Sequence, residues 1–356
     1  MKLICTHCRT IYDEGTRWCI NQQTQCPPDT LSLLPTEGDR FDNIQLERLW
    51  RILPTSALYH ARDGRKSVLV KIAHRGFEEQ FKTETKLLRA IGDYPTLLRL
   101  IVHPNAPVSR PYRKYPLHSE IRYYAVYEQF EGEYLDHLLE NQRHLPLPNA
   151  AWLIIQLADV VAKLHVDYGK VVLNLSPETI LVRSDRQGIS RPVLVDLTLA
   201  SDIGATAPAY FRTNHEPIYT APEALSGQIA VPATDVYGLG LVLYEVLTGQ
   251  KAFPVQHRSD VELREAVVSA EPVPISRLRP DISPQIQAIV TDALRKDSRN
   301  RQNDIRTFAK QLRRIAGEVP VEARKFQFKH EMIAAVIVIT VVLLVFVLVS
   351  LLLQSQ

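Results

Sequence analysis

Past position 26 the chain of 356 residues contains no cysteine; its four thiols are Cys5, Cys8, Cys19 and Cys26. The main body therefore has no disulfide framework and must be held by packing. Net charge is scarce as well. The 42 basic residues against 39 acidic ones leave +3, which argues against a dedicated nucleic-acid binder, whose basic excess dominates the domain. No internal repeat is visible. Met1-Lys2-Leu3-Ile4, followed at once by a cysteine, lacks the apolar core of a signal peptide. What is present is ordinary: 46% apolar and 23% charged residues, the proportions of a globular chain.

The four cysteines make residues 1–30 a candidate zinc-ribbon-like segment. Cys5-Thr6-His7-Cys8 converges two thiolates at a tight turn, and Cys19 with Cys26 would complete a tetrahedral sulfur shell. Soft thiolate sets favour zinc, and four ligands leave no open position, so the role is structural. His7 offers a substitute ligand. Two disulfides or unligated thiols remain alternatives, the former disfavoured in a reducing cytosol. So short a segment cannot bury a sufficient core and needs a staple. Pro27 to Gly38 carries three prolines and no periodicity, so residues 31–40 read as a linker.

The rest of the chain is organised around Lys170 to Glu223. Two short apolar runs, Val171–Leu175 and Val193–Val195, predict the strands of a buried hairpin, with a polar turn from Ser184 to Ser190 between them. Polar residues follow each run, where loops place reactive side chains on a rigid scaffold. Leu175, Pro177, Glu178, Ile180, Leu181, Asp196 and Ala221-Pro222-Glu223 occur in the order and near the spacing of H-R-D-L-K-P-E-N-I-L, D-F-G and A-P-E. The stretch thus resembles the catalytic and activation segments of protein kinases. Several functional letters differ. Val172, Leu173 and Asn174 stand for histidine, arginine and the catalytic aspartate; Ser176 stands for the loop lysine; Thr179 stands for the metal-binding asparagine; and D-F-G has become Asp196-Leu197-Thr198.

The resemblance runs from Phe41 to about Ile315 and implies an α+β, two-lobed kinase-like fold over residues 41–316, with a small lobe (41–130) and a large lobe (131–316). Ser67-Val-Leu-Val-Lys71-Ile-Ala73 is similar to the V-A-I-K strand, whose lysine contacts nucleotide phosphates. Phe77, Phe81, Glu84, Leu87, Leu88 and Ile91 have helical spacing, and the resemblance implies that Glu84 is the helix glutamate that pairs with Lys71. The family's glycine-rich loop corresponds to Arg48–Tyr59, which has no glycine and contains Pro54. A close phosphate cradle is not expected there. Ala125 to Gly132 resembles the strand and hinge, so Glu128 and Phe130 join Lys71, Glu84, Thr179 and Asp196 as implied nucleotide-binding positions. Tyr127 occupies the position that narrows the back of the pocket. Between Leu97 and Ile121 a Pro- and Arg-rich insertion reads as an exposed irregular loop.

In the large lobe, Ala150–His165 is an apolar helix, and Asp235–Gly249 resembles the lobe's central helix. The resemblance implies that Asp235 holds the catalytic loop and that Arg301, in Ser298-Arg299-Asn300-Arg301, forms a buried salt bridge with Glu223. Asn174 can orient a hydroxyl but cannot take its proton, and general-base catalysis supplies roughly 10²–10⁴-fold. Asp196 keeps one carboxylate for magnesium, which prefers one or two carboxylates plus phosphates. Asp202, Asp185 and Glu178 are nearby acids whose ordinary interpretation is a solvated loop position. Weak ATP–Mg²⁺ binding is therefore expected, without efficient catalysis. In active members of the family, phosphates among Thr198, Ser201, Thr206, Tyr210, Thr213, Tyr219 and Thr220 would pair with an arginine, which is here Leu173.

Residues 332–353 include the apolar run Ile333–Leu353, relieved only by Thr340 and Ser350. At about 1.5 Å per residue it matches a bilayer core of about 30 Å. The preceding basic juxtamembrane segment, 317–331, carries Arg324, Lys325 and Lys329, so the positive-inside rule places the kinase-like domain in the cytoplasm. The sequence thus predicts a single-pass, C-terminally anchored membrane protein that engages protein partners in signalling. Its expected activity is that of a pseudokinase scaffold or nucleotide-dependent switch. An active atypical serine/threonine kinase, and a zinc-ribbon adaptor with the kinase-like domain as spacer, are the alternatives.

Overall fold

From Arg40 onward, alternating apolar and polar residues build an antiparallel sheet. The computed structural model describes residues 2–20, 26, 30–103, 107–117, 120–129, 131–184, 190–213, 217–253 and 259–316. Strands β4 (Arg40–Phe41), β5 (Ile44–Ile52), β6 (Ser56–Asp63) and β7 (Lys66–Ala73) follow in spatial order and continue through β10 (Glu120–Glu128) to β8 (Leu100–Ile101). Helix α1 (Glu78–Ile91) lies between β7 and β8 in the chain and buries Phe81, Glu84, Leu87 and Leu88. The other face of the sheet carries Phe41, Ile44, Leu46, Tyr59, Val70 and Tyr124.

The segment before β4 is not separate from this lobe. Strands β1 (Lys2–Cys5), β2 (Ile11–Asp13) and β3 (Leu31–Leu34) form a sheet in the order β2-β1-β3. Its Ile4 and Leu34 belong to the same cluster as Ile44 and Tyr124. The linker expected at 31–40 is corrected here. Leu31–Leu34 pairs with Cys5–Lys2, because Ser32 and Leu34 face inward while the prolines lie outside the strand.

The large lobe follows with β11 (Glu133–Tyr134), α2 (Leu135–Gln142) and α3 (Leu147–Tyr168). Strand β12 (Lys170–Val171) pairs with β15 (Ser201–Asp202), and β13 (Ile180–Ser184) with β14 (Ser190–Leu194). Short helices α4 (Tyr210–Thr213) and α5 (Pro222–Leu225) precede the central α6 (Pro232–Thr248). The lobe closes with α7 (Asp260–Ser269), α8 (Ile275–Leu278), α9 (Pro284–Ala293) and α10 (Ile305–Ala316). Helix α6 is buried from Ala233 to Thr248, as its largely apolar pattern requires. Gly238 lets it approach the loop after β12: a Cβ there would sit 3.1 Å from Leu175 Cβ.

Two local expectations are also corrected. Val172–Leu175 is loop rather than strand, since Asp235 takes the Val172 and Leu173 amides at 2.7 and 2.8 Å and Leu173 has φ +66°. The hairpin on either side of Ser184–Ser190 is instead β13–β14. The insertion between Leu97 and Ile121 contains β8 and β9 (Arg113–Leu117), both paired with β10; Pro116 is tolerated because β9 is an edge strand. Among the described residues only α3 is long and apolar enough to cross a membrane, and 67% of its most apolar window is buried inside the lobe. The predicted segments 317–331 and 332–353 lie outside the described residues.

Candidate active-site cleft

Lys71 sits in the middle of β7, opposite Leu58 on β6 and Ala125 on β10. With no solvent access, its Nζ donates to Glu84 Oε1 and Oε2 at 2.6 and 2.8 Å and to Asp196 Oδ1 at 2.7 Å. Asp196 follows β14 and is equally buried. Two carboxylates thus share one ammonium group. Burial would depress Lys71, but the two acids outweigh it and hold its pKa up; burial in turn pushes Glu84 up. The Lys71–Glu84 pair is thus formed, and Asp196, expected as a metal carboxylate, joins it on the same ammonium group.

What surrounds it leaves little room for a metal. Thr198, at the glycine position of D-F-G, directs its Oγ1 to Asp196 Oδ1 at 2.5 Å and to Glu84 Oε2 at 3.0 Å. Its backbone N–H adds a 3.2 Å bond to Asp196 Oδ1. The other aspartate oxygen, Oδ2, accepts from Asn174 Nδ2 at 3.0 Å. Both oxygens are thus occupied by protein donors. Thr179 is turned away: its Oγ1 donates to the carbonyls of Asn174 (2.9 Å) and Ser176 (3.0 Å) and accepts from Ser176 N–H. It caps the short Pro177–Thr179 turn. The nucleotide or metal role implied for Thr179 is corrected accordingly. Mg²⁺ is held by one or two carboxylates together with phosphates and waters in near-octahedral geometry; here Asp196 alone offers a carboxylate, and its oxygens already carry Lys71, Thr198 and Asn174.

The roof differs as much. In place of a glycine loop, Leu53–Ser56 makes a tight turn pinned by Leu53 N–H to Ser56 O (2.8 Å) and His74 N–H to Thr55 O (2.9 Å). His74 Nε2 lies 3.2 Å from Leu53 O, and burial pushes this imidazole down to about 4. Below the turn, Leu58, Leu69, Tyr127, Tyr134 and Leu181 form part of one apolar cluster continuous with the large lobe. Trp50 packs on His60 and Tyr134 at 4.7 and 5.2 Å. Arg51 reaches from the same strand to pair with Asp136. At the hinge, Glu128 is exposed and faces Arg99 at 3.3 Å, while its N–H donates to Arg99 O. Phe130 lies outside the described residues. Thr198, Trp50 and Tyr134 were not visible as site residues in the sequence, apart from the altered D-F-G letter.

The scaffolding positions are where the resemblance puts them. Asp235 accepts from Val172 N–H, Leu173 N–H and, at 2.7 Å, engages His165 Nε2. Glu223 receives a bidentate pair from Arg301 at 2.6 and 2.8 Å, and the same guanidinium donates to three carbonyls. Leu173 packs with Val171, Leu199, Ala207 and Phe211, so an apolar contact replaces the arginine that would meet a phosphate. Asp202 is held by Lys170 at 2.6 Å, as a surface acid. Glu178 is not the solvated acid expected: it pairs with Arg9. Burial pushes its carboxyl up, yet the Arg9 guanidinium prevails and holds it below the usual range. Asp185 lies outside the described residues.

At the N-terminal sheet the sulfurs of Cys5, Cys8, Cys19 and Cys26 all lie within 4.8 Å of one another, and none of the four is in a disulfide. Tetrahedral zinc with bonds of about 2.3 Å needs sulfurs about 3.8 Å apart, and Cys8 and Cys19 stand at 3.5 Å. Burial resists ionisation of Cys8, but hydrogen bonding with Thr10, Cys19 and Cys26 brings it down to about 6. The donor set fits a soft divalent cation.

A lysine strand, a paired helix glutamate, a hinge, an aspartate-held catalytic loop and an Arg–Glu-clamped activation segment together define the two-lobed architecture of the protein kinase fold. Residues 59–313 match the protein kinase domain, and the chain belongs to that family. It is 31% identical to the serine/threonine-protein kinase PkaA of Streptomyces coelicolor over 262 residues, 72% of this chain and 45% of that protein. To PknA of Mycobacterium tuberculosis it is 25% identical over 263 residues, 70% of this chain and 56% of that one. The chain thus spans about half the length of these curated relatives. The crystal structure of a double mutant of the Mycobacterium tuberculosis PknI kinase domain superposes with TM-score 0.60 at 16% identity. It covers 80% of this chain and 100% of that one. The fold is one associated with ATP and Mg²⁺; the cleft described above departs from it at the metal ligands and the glycine loop.

Proposed function

We propose that this protein is a pseudokinase, a kinase-fold module that acts through binding and conformation rather than phosphate transfer. The observation that carries this reading is the Asn174 amide seated on Asp196 Oδ2 at 3.0 Å. The residue that should accept a proton is neutral, and it also occupies the oxygen that should hold the metal. Phosphoryl transfer depends on positioning and charge neutralisation; Lys71 is kept, but a neutral Asn174 seated on Asp196 weakens both. The zinc-ribbon-like segment holds a structural Zn²⁺ through Cys5, Cys8, Cys19 and Cys26, the tail at 332–353 anchors the chain in a bilayer, and the kinase-like domain faces the cytoplasm to meet protein partners.

A transfer assay with labelled ATP, Mg²⁺ and generic protein substrates tests this; turnover above about 1 s⁻¹, the low end for kinases, would contradict it. The second reading, an atypical serine/threonine kinase, is favoured by the formed Lys71–Glu84 pair and by the names of its relatives. It requires Asn174 to leave Asp196. The adaptor reading, with the large domain as a spacer, is weakened because Ile4 and Leu34 are part of the small-lobe core.

A further inference from the structure

The ribbon touches both lobes. Its β3 is tied to the small lobe by Ser32 Oγ, which accepts from Arg75 N–H and Arg122 Nη2, each at 3.1 Å. At its other end Arg9 follows directly on Cys8. The Arg9 N–H closes the Cys5–Cys8 knuckle on Cys5 O at 2.8 Å, in a left-handed conformation, φ +61°, that is uncommon for a residue with a Cβ. From there the guanidinium crosses to the large lobe and meets Glu178, with Nη2 3.5 Å from Oε1. Only 19% of the Arg9 side chain and 25% of the Glu178 side chain are exposed. Beneath them is a cavity of about 30 Å³ lined by Arg9, Pro54, Leu173, Asn174, Ser176 and Glu178, among others. The pair therefore covers the groove at the catalytic loop.

We propose that the ribbon is a metal-set strap: a cation on the four thiolates holds Arg9 on Glu178 and keeps the catalytic-loop groove covered, and loss of the cation uncovers it. This rests on the reading of the cysteine cluster as a zinc site. The physical reason is local. Strands β1 and β3 are fixed by Ile4, Leu34 and Ser32, but the knuckle that aims Arg9 has no apolar core of its own and depends on a staple. Removing the cation therefore frees the aiming end while the docked strands stay in place.

The test follows hydrogen exchange of the full chain in detergent micelles, at peptides covering residues 172–179, alongside direct measurement of zinc content. Stripping zinc with a chelator should speed exchange there about tenfold, the effect of losing one charge-assisted pair. Arg9→Ala, with zinc retained, should give the same increase, and Arg9→Lys a smaller one. One zinc per chain with unchanged exchange after stripping and in Arg9→Ala overturns the strap while leaving the zinc site standing. A chain that holds no zinc overturns the zinc reading and the metal dependence together. A merely structural zinc would alter exchange within residues 2–20 and leave 172–179 untouched.

Discussion

Lys71→Met separates a lysine kept for nucleotide from one kept for the fold. In the native chain Lys71 Nζ supplies the positive charge between Glu84 (2.6 and 2.8 Å) and Asp196 (2.7 Å), with Val195 O and Thr198 Oγ1 at 3.3 Å. All three charged side chains are essentially without solvent access. Removing the cation leaves two buried carboxylates facing each other, and breaking a buried pair in this way costs about 3–5 kcal/mol. For a domain of this size each kcal/mol shifts the melting temperature by about 2–4 °C, so a fall of roughly 10 °C is expected by near-UV circular dichroism. The deficit should shrink at low pH. Burial already raises Glu84, so in the variant the folded state holds a proton that the unfolded state has released. Its stability then falls as pH rises through the ordinary carboxylate range. Adding Glu84→Gln should recover part of the loss. A deficit below about 1 kcal/mol, with no pH dependence, would refute the reasoning and point to a wet, open cleft.

Asn174→Asp restores the family's letter but places a second carboxylate where Asn174 Nδ2 now sits 3.0 Å from Asp196. It should lower stability by about 1–3 kcal/mol at neutral pH, less under acidic conditions, and yield no kinase turnover. Leu173→Arg puts a cation into the cluster of Val171, Leu199 and Phe211; it should cost at least about 2 kcal/mol in denaturant unfolding rather than create a phosphate receptor. His74, pushed down to about 4, stays neutral in the fold while the unfolded chain takes a proton below about 6.5. Stability should therefore fall by about 3 kcal/mol as pH drops from 6.5 to 4, and His74→Gln should flatten that slope.

Much of this was legible because it is local. Lys71 lies in an apolar strand and Glu84 on the apolar face of a helix, so periodicity marks the two elements and the family resemblance pairs the residues. Asp235, Glu223 and Arg301 sit in motifs whose spacing survives. The loop at 172–175 was misread as a strand because its residues are apolar, although Asp235, more than 60 residues away in the chain, claims its amides. Thr179 was misread because a hydroxyl three residues after Ser176 serves equally well as a cap. The tie between Asn174 and Asp196 spans 22 residues and that between Arg9 and Glu178 spans 169. Such contacts follow from tertiary packing, and no spacing rule reports them. The strand at Leu31–Leu34 was hidden by neighbouring prolines.

The most direct measurement is thermal unfolding of the whole chain titrated with ATP, with and without Mg²⁺. A ligand that binds only the folded form stabilises it by about 2.7 kcal/mol at a hundred times its dissociation constant, a rise of about 5 °C or more on the scale above. With Asp196 held by Asn174, Lys71 and Thr198, the melting temperature should stay within about 1 °C of the nucleotide-free value at millimolar ATP. A saturable rise of about 5 °C that appears only with Mg²⁺ would contradict the account.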